Sequence, residues 1–185
     1  MAQENSEFQF GGIHHLALVS SDMQRTVDFY SGVLGMPLVK TIELPRGMGQ
    51  HFFFDCGGGD TIAFFWFPDA PDGVPGVSAP AALPGEGEIV SAVGSMNHVA
   101  FTVPPGEFER YYVRMQEKGV DVSPILDHDD SPAGSSRVLH PGVYVRSFYF
   151  RDPDGAMLEF ACWLRAFTPA DVAHPARTGA ERAGV

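Results

Sequence analysis

Three side chains of the kinds that hold catalytic metal ions stand in apolar stretches of this sequence. His15 lies in IHHLALV, His98 in MNHVAFTV and Glu159 in AMLEFACW. A carboxylate is costly to bury without a partner, so Glu159 requires one. Two neutral imidazoles and one carboxylate, with coordination positions left open, suit Fe(II) or Mn(II) better than a closed structural zinc site.

An internal repeat places the two histidines at equivalent positions in the chain. The stretch HHLALVSSD at 14–22 aligns with NHVAFTVPPGE at 97–107, so that His15 lies over His98. In a strand each histidine shares its face with small residues, which leave room around the imidazole. The duplication also changes the expected fold, because two similar modules can close on one another. If they do, both imidazoles and Glu159 converge, and we predict a metal site there.

Simpler interpretations compete with this prediction. A lone histidine in an apolar strand is more often a hydrogen-bonded core residue than a ligand, and His14 competes with His15. The repeat disfavours His14, which aligns with an asparagine, and two histidines at equivalent positions favour the metal. The first module offers no matching carboxylate, since aligning the last strands of the two modules puts Phe64 near the Glu159 position. We therefore expect three protein ligands and not four.

The elements that must position these residues follow the order β-α-β-β-β twice, which predicts an α+β fold. The first module is expected at 12–67 and the second at 95–164. A segment rich in Pro, Gly and Ala at 68–94 joins them as a linker or a covering loop. Residues 1–11 form a polar arm and residues 165–185 a tail. The predicted helices cover 22–34 and 106–118, and the predicted strands cover 13–19, 38–44, 51–55, 61–67, 96–103, 120–126, 144–151 and 156–163.

The composition is that of a globular protein with a strong negative charge. The 185 residues carry a net charge of −11, which disfavours nucleic acid and anionic membranes as partners. No apolar run approaches the length of a membrane span, and the N-terminal sequence lacks the pattern of a signal peptide. Cys56 and Cys162 do not have the spacing of a disulfide framework or a zinc ribbon. We expect reduced thiols in a cytoplasmic protein.

Taken together, residues 12–163 resemble the vicinal oxygen chelate superfamily of glyoxalases, bleomycin-resistance proteins and type I extradiol dioxygenases. The resemblance is carried by His15-Leu-Ala-Leu with Asp22 and Phe29-Tyr30, by Asn97-His98-Val-Ala-Phe, and by Asp152-Pro-Asp-Gly-Ala-Met-Leu-Glu159. It implies paired βαβββ modules that form curled mixed sheets around a central metal site. It also implies that His15, His98 and Glu159 are the ligands.

The stretch VLHPGVYVRSFYFRDPDGAMLEF at 138–160 resembles the extradiol ring-cleavage signature more specifically. By this resemblance, His140 and Tyr149 contact the substrate, Fe(II) is the metal, and O2 and a catechol-like aromatic are the reactants. Mn, Ni, Co and Zn are the alternative metals. Without the resemblance, His140 is equally well a loop residue exposed to solvent, and Tyr149 a sheet aromatic with its hydroxyl at the rim.

One departure from the extradiol pattern concerns an acid/base group. Extradiol enzymes usually carry a catalytic histidine on the last strand of the first module, and the matching stretch at 55–62 has none. His51 comes several residues too early, and Asp60 would be an unusual substitute. Losing such a group lowers a rate by roughly 10²–10⁴-fold.

Three functions follow from these patterns. The first is an Fe(II)-dependent extradiol-type dioxygenase. The second is a glyoxalase-, epimerase- or lyase-like enzyme that uses its metal as a Lewis acid without O2. The third is a protein that binds a small molecule, such as a drug, without chemistry, which the three predicted ligands disfavour. Single module pairs in this superfamily often dimerise, so a homodimer is a further expectation.

Overall fold

Each half of the chain forms one mixed sheet with one helical segment. The computed structural model describes residues 7–181, so the first six residues of the predicted arm and the last four of the predicted tail lie outside it. The first module contains β1 (His15–Ser20), α1 (Met23–Val27), β2 (Leu38–Glu43), β3 (Gln50–Gly57) and β4 (Asp60–Trp66). The second contains β5 (Val99–Thr102), α2 (Phe108–Glu117), β6 (Leu126–His128), β7 (Ser135–Ser136), β8 (Val145–Arg151) and β9 (Met157–Trp163).

The two sheets share one topology. The first has the strand order β1-β4-β3-β2, with β1 parallel to β4, and the second has the order β5-β9-β8-β6-β7, with β5 parallel to β9. In both sheets the first strand is an edge and pairs with the last long strand of its module. This arrangement confirms the predicted α+β fold of paired βαβββ modules. In the described part of the chain no helix is long and apolar enough to cross a bilayer.

The first helical segment begins where the sequence predicts. The backbone of Asp22 is extended, and its side chain accepts a hydrogen bond from the Arg25 N–H at 3.1 Å, which caps α1. The helix then widens into a π-helical turn at Asp28–Val33, where Tyr30 is buried. Gly35 follows with a φ of +77°, a conformation that favours glycine and ends the helix.

The predicted strand at 120–126 is wrong for most of its length. Val122 makes a single bridge to Phe150, and Ser123 bonds to Tyr149 through its backbone N–H and its hydroxyl. Pro124 follows and has no N–H to give to a ladder, so regular pairing begins only at β6. The residues between the predicted strands at 120–126 and 144–151, which we expect to form a loop, contain the short strand β7.

The turn after β8 also joins the two modules. The carboxylate of Asp152 accepts bonds from the backbone N–H groups of Asp154 and Ala156 at 2.9 and 2.8 Å, and from the Tyr30 hydroxyl at 3.2 Å. Ser21 of the first module donates to Asp154 from its N–H and its hydroxyl. One core cluster continues across this joint and contains buried side chains from both modules, among them Tyr30, Phe54, Phe64, Phe108, Phe148 and Phe150.

Asp152 makes the stability of this joint depend on pH. Burial raises the pKa of Asp152 to about 6, despite the N–H bonds that oppose it. The folded state therefore holds this proton more tightly than the unfolded chain does. The contribution of Asp152 to stability is fully present below its unfolded pKa, near 4, and falls by roughly 3 kcal/mol as pH rises through about 6.

Asp152→Asn should remove this loss, because asparagine keeps an acceptor for both N–H groups and carries no charge. We expect the variant to gain about 2 kcal/mol more over wild type at pH 8 than at pH 4.5. Urea unfolding of both proteins at the two pH values measures the difference. A stability difference between them that does not change with pH would contradict the account.

The connector, residues 68–94, packs against the second sheet. Pro80 O accepts a bond from Arg151 at 2.9 Å, and Leu83 is buried against Tyr149 and Met157. The side chain of Asn97 donates to Ile89 O and ties the end of the connector to the start of β5. Of the two predicted roles, the connector is a covering loop.

Candidate metal centre

Each sheet turns one face away from the shared core, and the predicted ligands lie on these two outer faces. The first outer face carries His15, Ala17 and Val19 of β1, all exposed. The second outer face carries His98, just before β5, with exposed Ala100 and Thr102. The register β5–β9 places Ala100 opposite Glu159, so that the carboxylate lies on the same face.

His98 and Glu159 are in direct contact. His98 Nε2 lies 3.1 Å from Glu159 Oε2, and the exposed fractions of the two side chains are 37% and 7%. The edge position before β5 leaves the imidazole accessible, while Glu159 sits in the middle of a sheet. The partner that the buried carboxylate requires is therefore His98, while their shared role as metal ligands stays a prediction.

The other nitrogen of His98 is held by the residue before it. His98 Nδ1 lies 2.8 Å from Asn97 Oδ1, and the Asn97 amide nitrogen donates to Ile89 O, which fixes the amide with its oxygen toward the ring. His98 Nδ1 must therefore donate. In a neutral ring Nε2 then turns a lone pair toward Glu159, and two acceptors 3.1 Å apart attract one another only through a shared cation, which is either a proton or a metal ion.

His15 repeats this arrangement in the first module. Its Nδ1 lies 2.8 Å from Nδ1 of His14, the preceding residue, and its Nε2 stays outside that bond. The Phe53 ring lies 5.7 Å from the His15 ring on the same outer face. In both modules a side chain at the preceding position thus holds Nδ1 and leaves Nε2 available. Because this contact is symmetric between His14 and His15, what favours His15 as the ligand is its equivalence to His98 in the repeat.

Electrostatics near Glu159 favour a bound cation. Burial alone would raise the pKa of Glu159, but the His98 imidazole, the nearby Ser147 hydroxyl and the charge of His128 outweigh burial and lower it. Burial first, and then the Glu159 charge, raises the pKa of Tyr149 well above its usual value, so this hydroxyl is protonated at neutral pH. Tyr149 lies opposite Glu159 in the ladder, and its ring meets the His98 ring edge-on at 5.5 Å.

A single chain brings together two of the three predicted ligands. Among residues 7–181, no three histidine, cysteine, aspartate or glutamate side chains are placed to hold a metal ion. His15 contacts His14 and Phe53 and has no contact with His98 or Glu159. His15 as a ligand stays a prediction.

The first-module position equivalent to Glu159 is Ala63, and the prediction of Phe64 was wrong by one residue. Ala17 pairs with Ala63 just as Ala100 pairs with Glu159. Phe64 points to the opposite face and is buried in the core. The first module still offers no carboxylate there.

His140 lies in a separate pair. Its Nε2 contacts Asp129 Oδ2 at 2.9 Å, and its Nδ1 accepts a bond from the Gly142 N–H at 3.1 Å. A Cβ at position 142 would come within 2.9 Å of the ring, so glycine is required for this closeness. Hydrogen bonds from Ser131 and His140 lower the pKa of Asp129. Both nitrogens are engaged, and the predicted substrate contact of His140 stays a prediction.

In the first module, His51 does not offer a free imidazole in place of the missing histidine. The His51 ring is buried, stacks on Phe65 at 3.6 Å, and places Nδ1 3.1 Å from Phe64 O. Asp60 begins β4, close to Gly12.

Two polar residues of the second outer face did not stand out in the sequence. Ser147 is completely buried beside Glu159, and His128 of β6 lies on the same face, near enough to lower the pKa of Glu159. Because side chains alternate along β8, Ser147 lies on the same face as Tyr149, and this alternation could have identified Ser147 from the sequence.

The donor set fits a divalent metal ion. An exposed imidazole whose Nδ1 is already occupied, next to a buried carboxylate, is the usual form of a metal-binding pair. Together with a second imidazole it suits Fe(II), Mn(II), Co(II), Ni(II) or Zn(II) with open positions.

Comparison with known proteins agrees with this geometry. Residues 12–160 match the Glyoxalase/Bleomycin resistance protein/Dioxygenase superfamily. The chain is 28% identical over 148 residues to the metallothiol transferase FosB of Shouchella clausii, covering 80% of this chain and 77% of that protein. It is 30% identical over 114 residues to MhqE of Bacillus subtilis, a candidate ring-cleaving dioxygenase, covering 60% of this chain but only 33% of MhqE.

A solved structure shows the same fold. The glyoxalase family protein of Enterococcus faecalis superposes with a TM-score of 0.56 at 24% identity, covering 82% of this chain and 98% of that one. Members of the superfamily bind divalent metals, manganese among them. The match over residues 12–160, the paired modules and the His98–Glu159 pair lead to one conclusion: the chain belongs to the Glyoxalase/Bleomycin resistance protein/Dioxygenase superfamily.

Proposed function

We propose that this chain is a homodimeric, Fe(II)-dependent dioxygenase of the extradiol type that cleaves a catechol-like aromatic with O2. The observation that carries the proposal is the His98–Glu159 contact beside Tyr149, on an outer face that remains accessible at His98. The resemblance of 138–160 to the ring-cleavage signature and the similarity to MhqE support the choice of reaction.

The dimer follows from where the ligands lie. His15 and His98 stand on β1 and at β5, which are unpaired edges of two different sheets. A two-fold axis that sets β1 of one copy beside β5 of the other brings His15 to the partner's His98–Glu159 pair. The same contact covers both outer faces and both edges, and it creates two equivalent centres.

The residues of the proposed centre have distinct tasks. His15 of one copy, with His98 and Glu159 of the other, would hold the metal, which supplies a Lewis acid for two adjacent substrate oxygens. Tyr149, protonated at neutral pH, can donate a hydrogen bond to a substrate oxygen beside Glu159. Leu83 covers one side of Tyr149 and excludes water there.

The first outer face offers an aromatic wall next to His15. Phe53 lies beside the His15 ring, and Phe65 and Phe67 stack in parallel at 5.4 Å. Phe52, Phe54 and Phe64 alternate onto the opposite face and pack in the core or against it. Of these phenylalanines, one set packs the core, and the other forms a surface on which a flat substrate ring can stack.

An aerobic assay after anaerobic loading tests the reaction. We expect the Fe(II)-loaded protein to consume one O2 per catechol and to form a yellow ring-fission product from at least one member of a catechol panel. Glu159→Gln, treated identically, serves as the control for free iron. If the loaded protein forms no product from any catechol, the dioxygenase proposal is wrong.

A second candidate is a metal-dependent transferase that works without O2. The larger share of FosB that this chain covers favours it, as does the His51 ring, which is stacked and bonded and so cannot replace the missing acid/base histidine. Consumption of a low-molecular-weight thiol by the Mn(II)-loaded protein and an electrophilic substrate, under strictly anaerobic conditions, separates the two reactions.

A further inference from the structure

Ser147 is a buried polar group without a satisfied hydrogen bond. It lies in the middle of β8, opposite Ala161 of β9 and Leu126 of β6, and is completely buried. Its Oγ has no hydrogen-bond partner of good geometry among the described residues. Buried hydroxyls are nearly always bonded, and one that is not destabilises the fold. Such a group therefore calls for a reason beyond packing.

Its place in the sheet points to Glu159. Ser147 and Tyr149 follow one another on the second outer face, and Tyr149 pairs with Glu159 across the ladder. Ala161, next to Glu159 on that face, has no side chain beyond Cβ to fill the space between the hydroxyl and the carboxylate.

We propose that Ser147 is a positioning residue that fixes the Glu159 carboxylate for metal binding by donating its hydroxyl hydrogen to it. The inference rests on the proposed metal centre. Without the metal, Glu159 Oε2 is directed at His98 Nε2. A hydroxyl donor from the neighbouring strand would restrain rotation of the carboxylate when a metal ion is bound. Groups that orient a ligand in this way change metal affinity by about 10- to 100-fold.

Metal affinity and fold stability separate this role from packing. Ser147→Ala removes a hydroxyl that has no good partner, so the metal-free variant should melt at the wild-type temperature or above it. The same change should weaken Mn(II) binding by about 10- to 100-fold. A purely structural serine would behave in the opposite way, losing stability and keeping its metal affinity.

Ser123→Ala provides the matched control. Ser123 is equally buried, but its Oγ accepts a bond from the Tyr149 N–H and donates to Pro124 O, both at 2.9 Å. We expect this variant to melt at a lower temperature and to bind Mn(II) nearly as wild type does.

The experiment is a Mn(II) titration, followed by electron paramagnetic resonance, with thermal melts of the metal-free proteins. Weakened binding by Ser147→Ala, without loss of metal-free stability, supports the inference. Equal affinity of wild type and Ser147→Ala overturns it, as does a melting temperature that falls together with affinity. If wild type itself binds no Mn(II), the metal centre fails, and this inference fails with it.

Discussion

Glu159→Gln is expected to weaken binding of Mn(II) or Fe(II) by at least about 100-fold, more than the loss of an orienting neighbour causes. Glutamine preserves the size of the side chain but removes the charge, and a neutral amide is a poor ligand for these ions. The Glu159 side chain is only 7% exposed and contacts His98. No other carboxylate among the described residues is placed to substitute for it in a cluster of three ligands.

Metal content of the purified variant and a Mn(II) titration measure this loss. His174→Ala, which removes an exposed imidazole from the tail, should bind Mn(II) as wild type does. If Glu159→Gln does not fold, His98→Ala tests the same pair from the other side. Retention of a full equivalent of metal by a folded Glu159→Gln variant would show that the carboxylate is not a ligand.

The pattern of the sequence was sufficient for the repeated fold, while the three ligands stay a prediction. The alignment of His15 with His98 predicts equivalent strands, and the structure adds the equivalent Nδ1 contacts with His14 and Asn97. An apolar strand around Glu159 predicts a partner, and His98 is that partner. The prediction of the fold succeeded because alternation in a strand and repetition in a chain are local properties.

What the sequence could not provide depends on distant contacts. Pro124 breaks the pairing expected at 120–126, yet a proline at a sheet edge is equally allowed, so only the neighbouring strand decides. The burial of Ser147 depends on strands and loops that are distant in the sequence, which no local pattern describes. The neighbour of the free edge of β1 is likewise not a local property, because in the proposed dimer it belongs to a second copy of the chain.

Two inactive variants are expected to restore a metal centre when they share a dimer. His15→Ala removes a ligand from the first outer face, and Glu159→Gln removes one from the second. Each homodimer therefore has two defective centres. In the mixed dimer, the intact His15 of one copy meets the intact His98 and Glu159 of the other. One centre is whole, and the other lacks both groups.

The expected stoichiometry follows directly. Mixed dimers isolated through two different tags without histidines should bind one Mn(II), where the wild-type dimer binds two and either parent almost none. In an unfractionated equal mixture half of the dimers are mixed, so about a quarter of the wild-type centres should appear. Light scattering of each parent verifies that both remain dimeric.

The outcome distinguishes the two ways in which the modules can close. If one chain supplied all three ligands, every chain in the mixture would carry a defect, and no mixed dimer could bind more metal than its parents. Restoration therefore requires that His15 act across the interface. The unpaired edges at β1 and β5, and the ligand cluster that the described part of a single chain leaves incomplete, are the reasons to expect it. If the mixed dimer binds no metal, His15 does not act across the interface, and the third ligand must come from the chain that carries His98 and Glu159.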